Sequence, residues 1–162
     1  MLAYQGTARQ LVAAIKFDNR RAAVRWAGAA MAALAAESPS GVVTWAPTSP
    51  RRARARGYDQ ARLIARSVAK SLHRPCRAVL RRTSAGHQTG HARSARRDGP
   101  SFRANGRLRE PVLLVDEVMT TGATLQAAAA ALRAAGAIHV TSVVLAATPL
   151  KLADGRAENH GE

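Results

Sequence analysis

"VLLVDEVMTTGATLQ", residues 112–126, is the stretch whose reading decides the fold. Val112 to Val115 form an unbroken apolar run, as expected of a strand covered on both faces. Asp116 and Glu117 follow at the carboxyl end of that strand, and Thr120, Thr121, Gly122, Ala123 and Thr124 make a turn. A helix over about 123–135, closed by Gly136 as its C-cap, comes next. Gly122 admits unusual dihedrals and lets backbone approach a ligand. The amides and positive dipole end of the new helix face the turn, and the threonine hydroxyls add donors. The result is a phosphate cup with two carboxylates beside it. Carboxylates do not bind phosphate, but they accept hydrogen bonds from sugar hydroxyls and can help hold a metal. A phosphorylated ribose satisfies both halves, with its 5′-phosphate in the cup and its 2′- and 3′-hydroxyls on the acids. The plainer reading is a capped turn with the acids facing water. It leaves two acids, three threonines and a glycine without a reason for being together. The chain has no G-x-x-x-x-G-K-[ST] and no G-x-G-x-x-G after a strand, so the common nucleotide loops are absent.

The 162 residues suffice for one compact core. No apolar run approaches the roughly 18–20 residues that span a bilayer. The start, "MLAYQGTARQ", lacks the basic-then-apolar order of a secretory signal, so a cytoplasmic protein is expected. Cys76 is the single cysteine, which excludes an internal disulfide and a multi-cysteine zinc site; it reads as a small buried hydrophobe. His87 and His91 are each preceded by glycine, against a helical metal pair. The net charge is +15, and 22 of the 25 basic residues are arginine, the side chain best shaped to grip phosphate. A chain so rich in Ala, Arg and Gly can also reach that total by composition alone, so the places where arginines cluster matter more than the sum.

Working outward, 7–17 and 20–37 read as helices, and "VVTWA" (42–46) as a short strand. "RRARARG" (51–57) reads as a basic loop, 58–72 as a helix and "CRAVLRR" (76–82) as a strand. Residues 83–100 have no apolar periodicity and read as a mobile, basic loop. Asn105-Gly106, between short alternating runs, signals a hairpin. A last strand covers 140–148, followed by a polar tail over 151–162. The divisions are a helical N-terminal region, 1–38, and a core, 39–150. Strands joined by helices should run parallel, with ligands outside their carboxyl ends. Ala46–Gly57, Arg81–Arg97 and Asp116–Thr124 then converge on one rim. Tyr4, Trp26 and Trp45 could stack on a base, but each reads first as core.

"VLLVDEVMTTGAT" closely resembles the phosphoribosyl pyrophosphate motif of type I phosphoribosyltransferases. More of the chain resembles one branch, the ComF family of competence-related, phosphoribosyltransferase-like proteins. "AYQGTARQLVAAIKFDNRR" (3–21) is similar to its opening helical region. "APTSPRRARARGYDQARLIARSVA" (46–69) is similar to its proline-bracketed arginine loop and R-G-[FY]-[ND]-Q-A. "LRRTSAGHQTGHARSARRDGPSF" (80–102) is similar to its glutamine-then-arginine segment. The resemblance covers about residues 3–148. The chain departs from the pattern in lacking the four-cysteine zinc ribbon, in reading A-P-T for P-V-P, in having Glu117 where aspartate is usual, and in having Asp98 where asparagine is common.

The resemblance implies an α/β fold, with a mainly parallel sheet flanked by helices and a small N-terminal hood, and phosphoribosyl pyrophosphate bound with Mg²⁺. Asp116, Glu117, Met119, Thr120, Thr121, Gly122, Ala123 and Thr124 would hold the ribose and 5′-phosphate, the two acids also acting on the ribosyl transition state. Arg51, Arg52, Arg54 and Arg56 would hold the pyrophosphate, and Gln88, Arg93, Arg96 and Arg97 would sit in a closing lid. No residue is assigned directly to the metal. Two functions of different class follow. One is transfer of the phosphoribosyl group to a nitrogenous base or other nucleophile. The other is a non-catalytic competence protein that binds single-stranded DNA through its arginines during DNA uptake. A homodimer is left open.

Overall fold

The computed structural model describes residues 2–3, 21–39, 41–83 and 99–148. The expected helix over 7–17, the tail over 151–162 and all but the ends of the 83–100 loop lie outside them. In chain order the elements are β1 (Leu2–Ala3), α1 (Arg21–Leu34), β2 (Val42–Trp45), α2 (Pro50–Arg56), α3 (Gln60–Ser71), β3 (Leu80–Thr83), β4 (Ser101–Ala104), β5 (Val112–Met119), α4 (Ala123–Ala134) and β6 (Val140–Ala147). Four strands form a parallel sheet in the order β1-β6-β5-β2, and β3 and β4 form a separate antiparallel pair. The architecture is α/β, as the sequence implies.

β5 runs through the middle. It pairs with β2 from Val42↔Val112 to Trp45↔Val115, and with β6 from Val112↔Val140 to Met119↔Ala147. Val112 to Val115 are fully buried because both faces of the sheet are covered. Strand periodicity divides their side chains. Leu113 and Val115 join Met31, Ile64 and Val68 on the side of α1 and α3. Val112 and Leu114 join Leu125, Ala128 and Leu132 of α4, with Leu80 and Leu108, on the other. Of the expected N-terminal hood, 1–38, α1 lies against α3 and β6, while β1 pairs with β6 at the edge of the sheet.

Four sequence expectations change. The basic stretch 51–57 is a helix, not a loop: Ser49 Oγ accepts from Arg52 N at 3.4 Å, Pro50 takes the first turn, and Gly57 closes it at φ 77°. These are ordinary start and stop signals, hidden by the density of charge. The 76–82 strand is shorter and lies elsewhere. Cys76 makes a single bridge to Val43, and only Leu80–Thr83 extends, pairing with β4. Asn105-Gly106 does not turn a hairpin; Asn105 ends β4 by donating from N to Val79 O (2.8 Å) and from Nδ2 to Ala78 O (3.0 Å). Trp26 is not core, at 55% exposure, whereas Trp45 is, at 8%. Cys76 packs half-buried against the α1/α3 core, and burial pushes its thiol pKa up against the opposing pull of Arg66 and Arg62. No helix among the described residues is long and apolar enough to cross a membrane.

α1 and α3 approach closely at Gly28, where a Cβ would lie 2.2 Å from Ser67 Oγ and 2.9 Å from the Ser67 carbonyl carbon. Gly28→Ala should therefore lower stability by roughly 1–3 kcal/mol in urea unfolding, as overpacking does. An unchanged midpoint would contradict this packing.

Candidate functional site

The carboxyl ends of β2 and β5 open into a cavity of about 110 Å³. Its walls come from Ala46, Pro47 and Thr48 after β2, Arg52 of α2, Gln60 and Ala61 of α3, Arg82 of β3, Asp116 to Val118 of β5, and Thr124 of α4. Described residues of each segment expected on one rim line it: Ala46 to Thr48 and Arg52 from the first, Arg82 from the second, and Asp116 to Val118 with Thr124 from the third. Two carboxylates and two guanidinium groups line the same small space. Larger hollows between α1 and α3, lined by Arg25, Trp26, Ser67 and Lys70 among others, have no carboxylate among the described residues of their walls.

Asp116 and Glu117 are half-buried, past the stretch of β5 that both faces of the sheet cover. Asp116 Oδ1 accepts from Glu117 N at 2.8 Å, so one carboxylate orders the backbone beneath the other. β5 runs on to Met119, whose half-buried side chain packs at the edge of the α4 core. Thr120 and Thr121 are exposed in the turn. Gly122 takes φ 79° and ψ −6° at the N-cap of α4, a conformation that disfavours a side chain. Thr121 Oγ1 accepts from Ala123 N at 3.4 Å, and Gln126 N donates to Gly122 O at 2.9 Å, so the first turn of α4 begins directly over the loop. Thr120 to Gly122 thus form the turn that leads into α4, and of the residues expected in the cup Thr124 reaches the cavity wall.

Arg82 is held on two sides. Its guanidinium lies 5.5 Å from the Phe102 ring centroid, and Nη1 donates to Pro47 O at 3.4 Å. Burial lowers its pKa, the charge of Arg52 lowers it further, and Asp116 partly offsets both. Arginine stays protonated under such shifts. Arg82 and Arg52 line the same cavity with like charges, an arrangement an anion between them would relieve.

Of the four arginines expected at the pyrophosphate, Arg52 lines the cavity. Arg51 is exposed, and Arg54 is exposed with Nε donating to Pro50 O at 3.3 Å. Arg56 ends α2, and its side chain lies outside what is described. Gln88, Arg93, Arg96 and Arg97 lie outside the described residues. Sequence reading did not single out Thr48, Gln60 or Arg82. Arg82 stands at the carboxyl end of a strand, the signal that would have picked it from so many arginines. Gln60 is 3% exposed, and the signal that could have found it is its place in the R-G-Y-D-Q-A stretch at 56–61. Among the described residues, no group of three or more His, Cys, Asp and Glu gathers as a metal site.

Residues 59–158 match the family described as the phosphoribosyl transferase domain. No curated protein matches the chain. Among solved structures, the purine phosphoribosyltransferase from Pyrococcus horikoshii Ot3 is similar over 78% of this chain and 74% of that one, at 20% identity and a TM-score of 0.55. An allosteric regulatory enzyme of purine biosynthesis is similar over 75% of this chain at 20% identity and a TM-score of 0.51; the chain spans 25% of that enzyme's length. The glutamine phosphoribosylpyrophosphate amidotransferase from B. subtilis gives 21% identity and a TM-score of 0.50, over 75% of this chain and 26% of that one. At these identities the likeness is one of fold.

Gly122→Ala puts a methyl group on a left-handed backbone position and should cost about 1–2 kcal/mol in thermal or urea unfolding. A variant as stable as wild type would mean that the turn holds another conformation.

Proposed function

The chain belongs to the phosphoribosyl transferase domain family, and we propose on that basis that it binds phosphoribosyl pyrophosphate with Mg²⁺ and transfers the phosphoribosyl group to a nitrogenous base or other nucleophile. One observation carries the reading: Asp116, Glu117 and Thr124 share a cavity with Arg52 and Arg82. The cup over Thr120 to Thr124 suits the 5′-phosphate, with backbone amides and hydroxyls at a helix start. The two carboxylates suit the 2′- and 3′-hydroxyls, to which they offer acceptors. Arg52 and Arg82 suit the pyrophosphate.

In the transfer, the bond between the anomeric carbon and the pyrophosphate oxygen breaks, and a bond from that carbon to the nucleophile forms. Positive charge that develops on the ribose is stabilised by Asp116 and Glu117, and negative charge on the departing group by Arg52 and Arg82. Two adjacent half-buried carboxylates on the wall of an arginine-lined cavity fit Mg²⁺, which binds few protein oxygens and completes its shell with substrate phosphates and water. Asp116 and Glu117 are the residues that would hold it; the ion would supply charge neutralisation at the diphosphate. The similarity of 46–69 and 80–102 to the ComF branch supports placing the chain there within the family.

Calorimetric titration at physiological salt, with ATP and pyrophosphate as control anions, tests the binding. Phosphoribosyl pyrophosphate with Mg²⁺ should outcompete both controls. Arg82→Met should weaken it at least tenfold, since a charged hydrogen bond is worth about 1.5–3 kcal/mol. Asp116→Asn should abolish pyrophosphate release with whatever base supports turnover. Equal binding of all polyanions, unchanged in both variants, would refute the proposal.

A second reading, single-stranded DNA binding without catalysis, is favoured by a different surface. Arg25 of α1 and Arg62, Arg66 and Lys70 of α3 are all exposed, and neither helix contains an acid. Such a surface should bind DNA with a steep salt dependence. Binding that vanishes near physiological salt would remove this reading.

A further inference from the structure

Past Trp45, the chain leaves the sheet, and its backbone groups need other partners. Ala46 N still reaches Val115 O at 3.1 Å. Pro47 has no N–H, and its carbonyl receives Arg82. Thr48 N has no strand beside it and donates instead to Asp59 Oδ2 at 3.3 Å. The same oxygen accepts from Trp45 Nε1 at 3.1 Å. Ser49 then caps α2. One carboxylate oxygen thus ties the last residue of β2 to the middle of the loop that walls the cavity.

Asp59 stands at the N-cap of α3 with extended backbone, φ −96° and ψ 111°, where aspartate ordinarily caps the helix through its side chain. It makes no such bond here. Its carboxylate faces back toward β2, and Oδ1 is buried with no hydrogen-bond partner among the described residues. Arg62, one turn on in α3, lies 5.9 Å from the Trp45 ring centroid. Gln60 and Ala61, which follow Asp59 directly, are themselves walls of the cavity. The residue is therefore anchored to the site from α3 while its side chain restrains the opposite wall.

We propose that Asp59 is a positioning residue, whose carboxylate holds the loop at 46–49 in the shape that receives the pyrophosphate. This rests on the reading of the cavity as a phosphoribosyl pyrophosphate site. Asp59 touches Thr48 and Trp45, not the reacting atoms. Its effect should fall on the pyrophosphate end of the ligand and spare the 5′-phosphate end, which belongs to the 120–124 turn.

Two measurements on the full chain separate the possibilities, using wild type, Asp59→Ala and Asp59→Asn. The first needs no ligand: amide and indole hydrogen exchange by NMR. Asp59→Ala should speed exchange at Thr48 N–H and Trp45 Nε1–H and leave Ala46 N–H unchanged. Asp59→Asn keeps an acceptor oxygen and should restore protection. The second is calorimetry with Mg²⁺ and either phosphoribosyl pyrophosphate or ribose 5-phosphate. Asp59→Ala should weaken the first ligand about tenfold and the second less than about twofold, with Asp59→Asn near wild type. Unchanged exchange at Thr48 would overturn the proposal. Equal losses for the two ligands would reduce Asp59 to a general structural role and overturn it as well. If wild type binds neither ligand, the reading of the cavity fails, and the exchange data alone decide whether Asp59 holds the loop.

Discussion

Burial of Val112 to Val115 on both faces of the sheet is the constraint around which the rest of the chain is arranged. Four consecutive apolar side chains cannot be hidden by one layer, so helices must cover both sides. α1 and α3 take Leu113 and Val115; α4 with the β3–β4 pair takes Val112 and Leu114. β5 must then lie inside the sheet, between β2 and β6, and its carboxyl end must emerge among the connections of its neighbours. Asp116 and Glu117 come immediately after the buried run. Their place at the rim follows from the length of that run.

The rim holds two arginines and two carboxylates around one small cavity. Arg82 loses hydration and faces Arg52, yet it is fixed there by Phe102 and the Pro47 carbonyl. Asp116 offsets part of that cost. A site with acids on one wall and arginines on another suits a molecule that is neutral and hydroxylated on one side and highly anionic on the other. Trp45 links this chemistry to the core: its ring belongs to the α1/α3 cluster, and its indole N–H reaches the carboxylate that also holds Thr48.

The sheet centre and the phosphate turn were legible because their signals are local. An unbroken apolar run, two acids and T-T-G-A-T occupy consecutive positions, and the parallel arrangement follows from the alternation with helices. α2 was hidden because four arginines within six residues outweighed the Ser-Pro start and the Gly57 stop. The β3–β4 pair was hidden for a different reason. Its strands are separated by residues 84–100, and the register Leu80↔Ala104 is a long-range fact with no local trace. Asn105-Gly106 carries the composition of a tight turn but is used to end a strand, with its side chain bonded to Ala78. Arg82 stands at the end of the expected 76–82 strand, but its place beside Pro47 and Asp116 depends on that long-range pairing. Trp26 misled because aromatic residues in an alanine-rich helix usually face inward, and this one does not.

The most direct measurement is an amide chemical-shift map of the labelled full chain, titrated with phosphoribosyl pyrophosphate and Mg²⁺ at physiological salt. Shifts should concentrate at 46–49, at Arg82 and at 116–124, and saturate together with a single dissociation constant. Shifts spread over the exposed arginines of α1 and α3, or none at Asp116 to Thr124, would contradict the assignment of the site.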